Sequence, residues 1–149
     1  TLTVDGALNG CIGTIEAAEP LGQAVARLAR AAAFSDPRLP ALTHEEYSLL
    51  DIEISILSPL SPIPAASRAE LLAGLRPGID GLVIEEGGAR ALFLPTVWEQ
   101  LPEPDDFLDH LHHKAGIAAE PWPPDLRAFR FITQIFSRHA GTPPTGGPG

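Results

Sequence analysis

Gly81-Leu82-Val83-Ile84-Glu85-Glu86-Gly87-Gly88-Ala89-Arg90-Ala91-Leu92-Phe93-Leu94 is the stretch on which the fold reading turns. Two apolar runs, 81–85 and 89–94, flank Glu86-Gly87-Gly88, and glycine accepts the positive φ angles of tight turns, so the stretch predicts a β-hairpin. Pro95 ends the second run because it has no N–H to give a strand ladder. A hairpin pairs its strands antiparallel. With helices interspersed irregularly among the strands, the chain reads as α+β, a largely antiparallel mixed sheet with flanking helices, and not as a regularly alternating wound fold.

On the N-terminal side of the hairpin, Asp51-Ile52-Glu53-Ile54-Ser55-Ile56 alternates strictly, placing three isoleucines on one face of a half-buried strand. The segment 58–64 carries three prolines in seven residues and reads as a loop. Ser67 with Glu70 forms a capping box that opens a short helix through Ala73, and Thr43 with Glu46 forms another over His44 to Leu50. Leu21, Ala24, Val25, Leu28, Ala31 and Ala32 recur at helical spacing, and Asp36-Pro37 stops that helix because the residue before proline is pushed out of α geometry. Residues 1–16 read as one or two strands with Asp5-Gly6 as the turn between them.

On the C-terminal side, Glu103-Pro104-Asp105-Asp106 starts a helix whose acids sit near its positive end and whose His112, His113 and Lys114 sit near its negative end, before Gly116. Phe107, Leu108, Leu111 and Ala115 are its buried stripe. After Pro121-Trp122-Pro123-Pro124, the residues Phe129, Phe131, Ile132, Ile135 and Phe136 predict one strand, apolar on both faces and therefore central. The Gly, Pro and Thr residues that follow have nothing to bury, so 139–149 is expected to be a disordered tail after a single domain over 1–138.

The 149 residues, 44% of them hydrophobic, suffice for one ordinary domain or two small lobes. No apolar run approaches the roughly 20 residues that cross a bilayer, and no leader pattern opens the chain, which predicts no membrane association. A single cysteine makes no internal disulfide, as is usual in a reducing cytoplasm. The formal charge of −9, with arginines scattered along the chain, argues against nucleic acid as a partner, since a basic face is what displaces counterions from phosphates.

That cysteine, Cys11, lies in Leu8-Asn9-Gly10-Cys11-Ile12-Gly13, between two glycines that let a backbone, a ligand or a partner come close. It reads as a candidate nucleophile, as a thiol lining a pocket, or as a small buried hydrophobe. A nucleophile needs a lowered pKa, for which His112, Lys114 and Glu53 are the candidate base, charge and orienting group. Asn9, Gly10, Gly13 and His112 are the candidate binding residues. His110 and His113 alone share the spacing for a common ion, on the side away from the apolar stripe, and no metal site is expected. The glycines do not form a dinucleotide fingerprint, and no cofactor is expected.

The hexapeptide resembles the signature of the AMMECR domain family, known in bacteria as AmmeMemoRadiSam system protein A. Ordered matches extend the resemblance over most of residues 1–136: Ala32-Ala33-Phe34-Ser35-Asp36-Pro37-Arg38, Ile54-Ser55-Ile56-Leu57-Ser58-Pro59, Gly78-Ile79-Asp80-Gly81-Leu82-Val83-Ile84, Phe93-Leu94-Pro95 and Lys114-Ala115-Gly116-Ile117 before Trp122. The resemblance implies a two-lobed fold, a cytoplasmic protein without a settled activity, and a shared bacterial system with a Memo-like protein and a radical-SAM protein. This chain has Asn9 where the family has arginine, and Thr96 where it tends to have glutamine after Leu-Pro. A neutral amide cannot clamp an anion as a guanidinium does. The start at Thr1 is expected to reflect a trimmed chain lacking an upstream helical segment typical of the family. The expectation is an accessory or substrate-handling component with a pocket around Cys11; the alternatives are a cysteine-dependent enzyme of acyl or one-carbon transfer and, with less support from the charge, a regulatory nucleic-acid binder.

Overall fold

The computed structural model describes residues 1–140 and is α+β, with three helices and two four-stranded antiparallel sheets. The chain divides into two compact units, the first made of residues 1–56 with those from Ile135 onward, the second of Leu57–Gln134. Among the described residues no helix is long and apolar enough to cross a membrane.

The first unit holds β1 (Leu2–Val4), β2 (Ala7–Gly10), α1 (Leu21–Phe34), β3 (Leu50–Leu57) and β8 (Thr133–Arg138), and its sheet runs β2-β1-β3-β8. Asp5 and Gly6 both take positive φ and turn β1 into β2, as their sequence signals. The antiparallel register sets Leu2 opposite Ile52 and Val4 opposite Leu50, which keeps these apolar side chains on one face. There Leu2 packs with Ala32 and Ala33 of α1, and Ile12, Leu42, Leu50 and Ile52 close around them. The helix ends as Asp36-Pro37 requires, with Ser35 N–H donating to the Ala31 carbonyl.

The second unit holds β4 (Ser61–Ile63), α2 (Arg68–Ala73), β5 (Gly81–Glu86), β6 (Ala89–Phe93), α3 (Pro104–Ala115) and β7 (Arg127–Phe131), with sheet order β4-β7-β5-β6. The hairpin forms as read: Glu86 pairs with Ala89 across Gly87 and Gly88, at φ +57° and +91°. Ser67 caps α2 by accepting from Glu70 N–H, and Gly116 ends α3 in the left-handed conformation. Phe107, Leu108 and Leu111 of α3 are fully buried against Leu82 and Ile84 of β5. Trp98 stacks on Phe107 at 3.8 Å between ring centroids and donates its indole N–H to the Asp80 carbonyl.

Three elements differ from the sequence reading. The single strand expected over 129–136 is two, separated at Ile132: β7 is central in the second sheet and β8 lies at the edge of the first. Apolar residues run through the break, so periodicity carries no mark of it. The proline-rich 58–64 contains β4, where Pro62 is tolerated because the strand pairs on one side only, with β7. The helix expected over 44–50 is a 3-10 turn at Glu46–Leu49. Of the expected tail, His139 and Ala140 contact the Asp51 carboxylate, and 141–149 lie outside the described residues.

Candidate functional site

Cys11 follows the last residue of β2, and its position is set by what surrounds Gly10. A Cβ on Gly10 would lie 1.9 Å from the Ala32 carbonyl oxygen, so the absence of a side chain is what allows β2 to press against the end of α1. A Cβ on Gly13 would meet nothing within 4 Å, so the second glycine answers no packing need.

Beyond α1, the chain turns at Asp36-Pro37-Arg38 and returns to the cysteine. The Cys11 N–H donates to Asp36 Oδ2 at 3.0 Å, and the Cys11 carbonyl accepts from the Arg38 guanidinium at 2.8 Å. The two partners are themselves joined, Arg38 Nε to Asp36 Oδ1 at 2.9 Å and Nη2 to Oδ2 at 2.7 Å. One bidentate ion pair thus grips both main-chain polar groups of one residue, on the two peptide units that flank its Cα. The hydrogen bonds from the Arg38 side chain, then those from the main-chain N–H groups of Cys11 and Arg38, hold the Asp36 carboxyl far below the usual carboxylate range, and Asp36 in turn raises Arg38. With its side chain buried, Asp36 is a fixed anion.

The thiol is left half-buried. Its near polar neighbour is the Thr1 hydroxyl, with Oγ1 3.4 Å from Sγ. Thr1 is seated there by the Glu53 main chain, whose carbonyl accepts from Thr1 N and whose N–H donates to Thr1 O, both at 2.9 Å. Glu53 therefore reaches the site through its backbone. Asn9 is buried, and its Oδ1 has no hydrogen-bond partner among the described residues.

The other candidates belong to the second unit. Lys114 donates to the Leu92 carbonyl at 3.0 Å and lies over the Phe93 ring, a cation on an aromatic face. His112 is fully buried, with Nδ1 3.3 Å from the Ile117 carbonyl and its ring against Trp122. Each has a local partner within its own unit. Asp36 and Arg38 bond the Cys11 main chain, yet in the sequence Asp36-Pro37 announces only a helix stop. The signal available was the matched segment Ala32–Arg38, which places an acid and a base two residues apart directly after a helix. Among the described residues, no three His, Cys, Asp or Glu side chains are grouped to hold a metal ion.

A two-unit α+β chain whose cysteine is held by its main chain at the end of a strand matches the AMMECR1 family model over residues 1–136. The chain belongs to the AMMECR1 family. It is similar to a protein of Methanothermobacter thermautotrophicus, 39% identical over 138 residues, covering 91% of this chain and 72% of that one. Protein MJ0810 of Methanocaldococcus jannaschii is 39% identical, with 89% and 67% covered, and a Thermofilum pendens protein is 39% identical with 87% and 62% covered. The chain thus spans roughly two thirds of the length of these relatives. The crystal structure of the uncharacterized protein PH0010 from Pyrococcus horikoshii has the same fold, with a TM-score of 0.84, 29% identity, and 95% of this chain and 73% of that one covered.

Proposed function

We propose that the segment Leu8–Gly13 is the ligand-handling site of an accessory protein in a cytoplasmic modification system that includes a Memo-like protein and a radical-SAM protein. Membership of such a system rests on the bacterial branch of the family this chain resembles. The site itself rests on one observation: the Asp36–Arg38 pair fixes the Cys11 peptide at both its N–H and its carbonyl while the sulfur stays half-exposed. Immobilising the main chain of a residue whose side chain is left accessible is how a protein presents a group at a defined position before a ligand arrives. The unpartnered Asn9 Oδ1 next in sequence adds an acceptor that a ligand donor can fill.

The experiment is anaerobic copurification of the chain with purified Memo-like and radical-SAM partners, repeated with Cys11→Ala. A complex that forms with both partners and survives the substitution supports the accessory role. No complex with either partner overturns it. A covalent adduct trapped on Cys11 in the presence of acyl or one-carbon donors would instead identify an enzyme working through the thiolate.

A further inference from the structure

The turn into β5 sets positive charge at the surface of a chain whose net charge is −9. At its base Asp80 is fully buried, and its carboxylate faces two arginines from different elements. Arg76 donates its main-chain N–H to Oδ2 at 2.9 Å, its Nε to Oδ1 and Oδ2 at 3.2 and 3.1 Å, and its Nη2 to Oδ1 at 2.6 Å. Arg130 of β7 has Nη1 3.9 Å from Oδ2 and donates from the same nitrogen to the Gly74 carbonyl at 3.0 Å. A buried carboxylate needs one cation, and Arg76 supplies it in bidentate form. Among the described residues neither arginine pairs with another carboxylate, so Arg130 is a surplus positive charge.

Each guanidinium is fastened along one edge and open along the other. The Arg76 side chain is 52% exposed and that of Arg130 37% exposed, while Asp80 beneath them has no exposure. Arg76 Nη1 and Arg130 Nε and Nη2 donate no hydrogen bond among the described residues. The same turn presents Ile79, 52% exposed, one residue before Asp80. Its main chain is fixed: the N–H groups of Ile79 and Asp80 both donate to the Arg76 carbonyl, at 3.1 and 3.0 Å, and the Trp98 indole holds the Asp80 carbonyl at 2.8 Å. A single exposed aliphatic residue is ordinary on a protein surface. Beside two anchored guanidiniums with open donor edges, it completes a surface that offers both anion recognition and apolar contact.

We propose that Arg76, Arg130 and Ile79 form a docking surface for a short acidic segment of a partner protein, one carboxylate taken by the open edges of the two arginines and a neighbouring aliphatic side chain laid on Ile79. The surplus of one positive charge matches one carboxylate. An extended polyanion would also meet the field of the other acidic residues, so a segment of few charges suits the chain better. Guanidiniums already tethered to Asp80 and Gly74 lose little freedom when a partner arrives, and arginine is prominent among residues that carry interface energy. The proposal is independent of the site at Cys11.

The test is an NMR titration of the chain with the capped peptide acetyl-Gly-Leu-Glu-Leu-Gly-amide, following the arginine Nε–H groups and the isoleucine methyls. The expected result is saturable shifts at Arg130 Nε and at the Ile79 methyls. Arg130→Gln leaves Asp80 paired with Arg76 and is expected to weaken binding about tenfold, the loss of one charge-assisted contact. Ile79→Ser changes an exposed side chain, so the fold does not hinge on it, and is expected to weaken binding about threefold. The same peptide with glutamine in place of glutamate is not expected to bind, and equimolar inorganic phosphate is not expected to displace the parent peptide. Cys11→Ala is expected to bind as the parent chain does, and a loss there would move the peptide to Leu8–Gly13 and overturn the proposal. It is also overturned if no saturable shift is seen, if the glutamine peptide binds as tightly, if phosphate displaces the peptide, or if Arg130→Gln and Ile79→Ser both bind like the parent.

Discussion

Among the described residues, the first unit sets one long helix on a sheet and encloses a core of Leu2, Ala32 and Ala33, whereas the second, with a sheet of equal strand number, encloses a core of twelve residues from Ile63 to Ala128. The difference originates in what each helix brings to its sheet. At its contact α1 offers alanines, with Leu21 and Phe34 left largely exposed, while α3 offers Phe107, Leu108 and Leu111. Since hydrophobic stabilisation scales with apolar area removed from water, the second unit carries most of it. The first unit gains in closeness what it lacks in volume, because alanines on α1 and glycine on β2 bring two backbones together. Each unit also contains one buried carboxylate paired with a nearby arginine, Asp36 with Arg38 and Asp80 with Arg76. Burial pushes Asp80 up, but the Arg76 side-chain and main-chain hydrogen bonds outweigh it and leave Asp80 lowered, like Asp36. In the second unit the pair closes the turn before β5; in the first it grips the cysteine.

The largest effect is expected where the core is densest. Phe107→Ala removes a ring stacked on Trp98 and edge-on to Phe93, and should cost about 3–5 kcal/mol in urea denaturation. Both tryptophans lie in the second unit, so their fluorescence reports it selectively, and the sole tyrosine, Tyr47, reports the first. If the Tyr47 signal shifts as far as the tryptophan signal, the units unfold as one block and the contrast between their cores has no thermodynamic meaning.

A smaller cost, about 1–3 kcal/mol, is expected for Gly10→Ala, because the obstructing atom is main-chain oxygen and β2 or α1 has to move. Tyr47 fluorescence should register it more than tryptophan fluorescence, and native thiol labelling of Cys11 should speed up. Unaltered labelling would mean that the close approach of β2 to α1 does not position the cysteine.

Acid provides the next comparison. A carboxyl with a depressed pKa in the folded state contributes stability that is complete above its unfolded value and is lost as pH falls. Both units should therefore weaken below about pH 4, and Asp36→Asn should reduce that dependence in the first unit, where the Glu46 and Asp51 carboxyls are lowered as well, while leaving the tryptophan-reported part of the second. Equal acid sensitivity of parent and variant, read by Tyr47, would assign the acid response to other groups. Smallest of all, Gly13→Ala should stay within about 0.5 kcal/mol in the same denaturation, since open space surrounds the added methyl group.

Much of the architecture is legible in the residues. Gly87-Gly88 dictates the hairpin, the capping box at Ser67 sets α2, and the stripe Phe107–Leu108–Leu111 sets the buried face of α3. The division of 127–138 into two strands is not legible, because sheet membership is decided by pairing with distant segments and leaves no local trace. The site shows the same limit. Gly10 announces a close approach, but its partner, Ala32, lies more than twenty residues along the chain. The guanidinium that serves the hexapeptide comes from Arg38, and only the path of the chain after α1 reveals it.

Because the second unit is inserted between Ile56 and Ile135, the first unit draws its sheet from two stretches far apart in the order of synthesis. As the nascent polypeptide leaves the ribosome, the hairpin side of β1, β2 and β3 emerges first, yet β8 emerges only after every strand of the inserted sheet. Since β7, central in the inserted sheet, and β8 are separated by Ile132 alone, both sheets wait for the same stretch of chain and close at nearly the same moment.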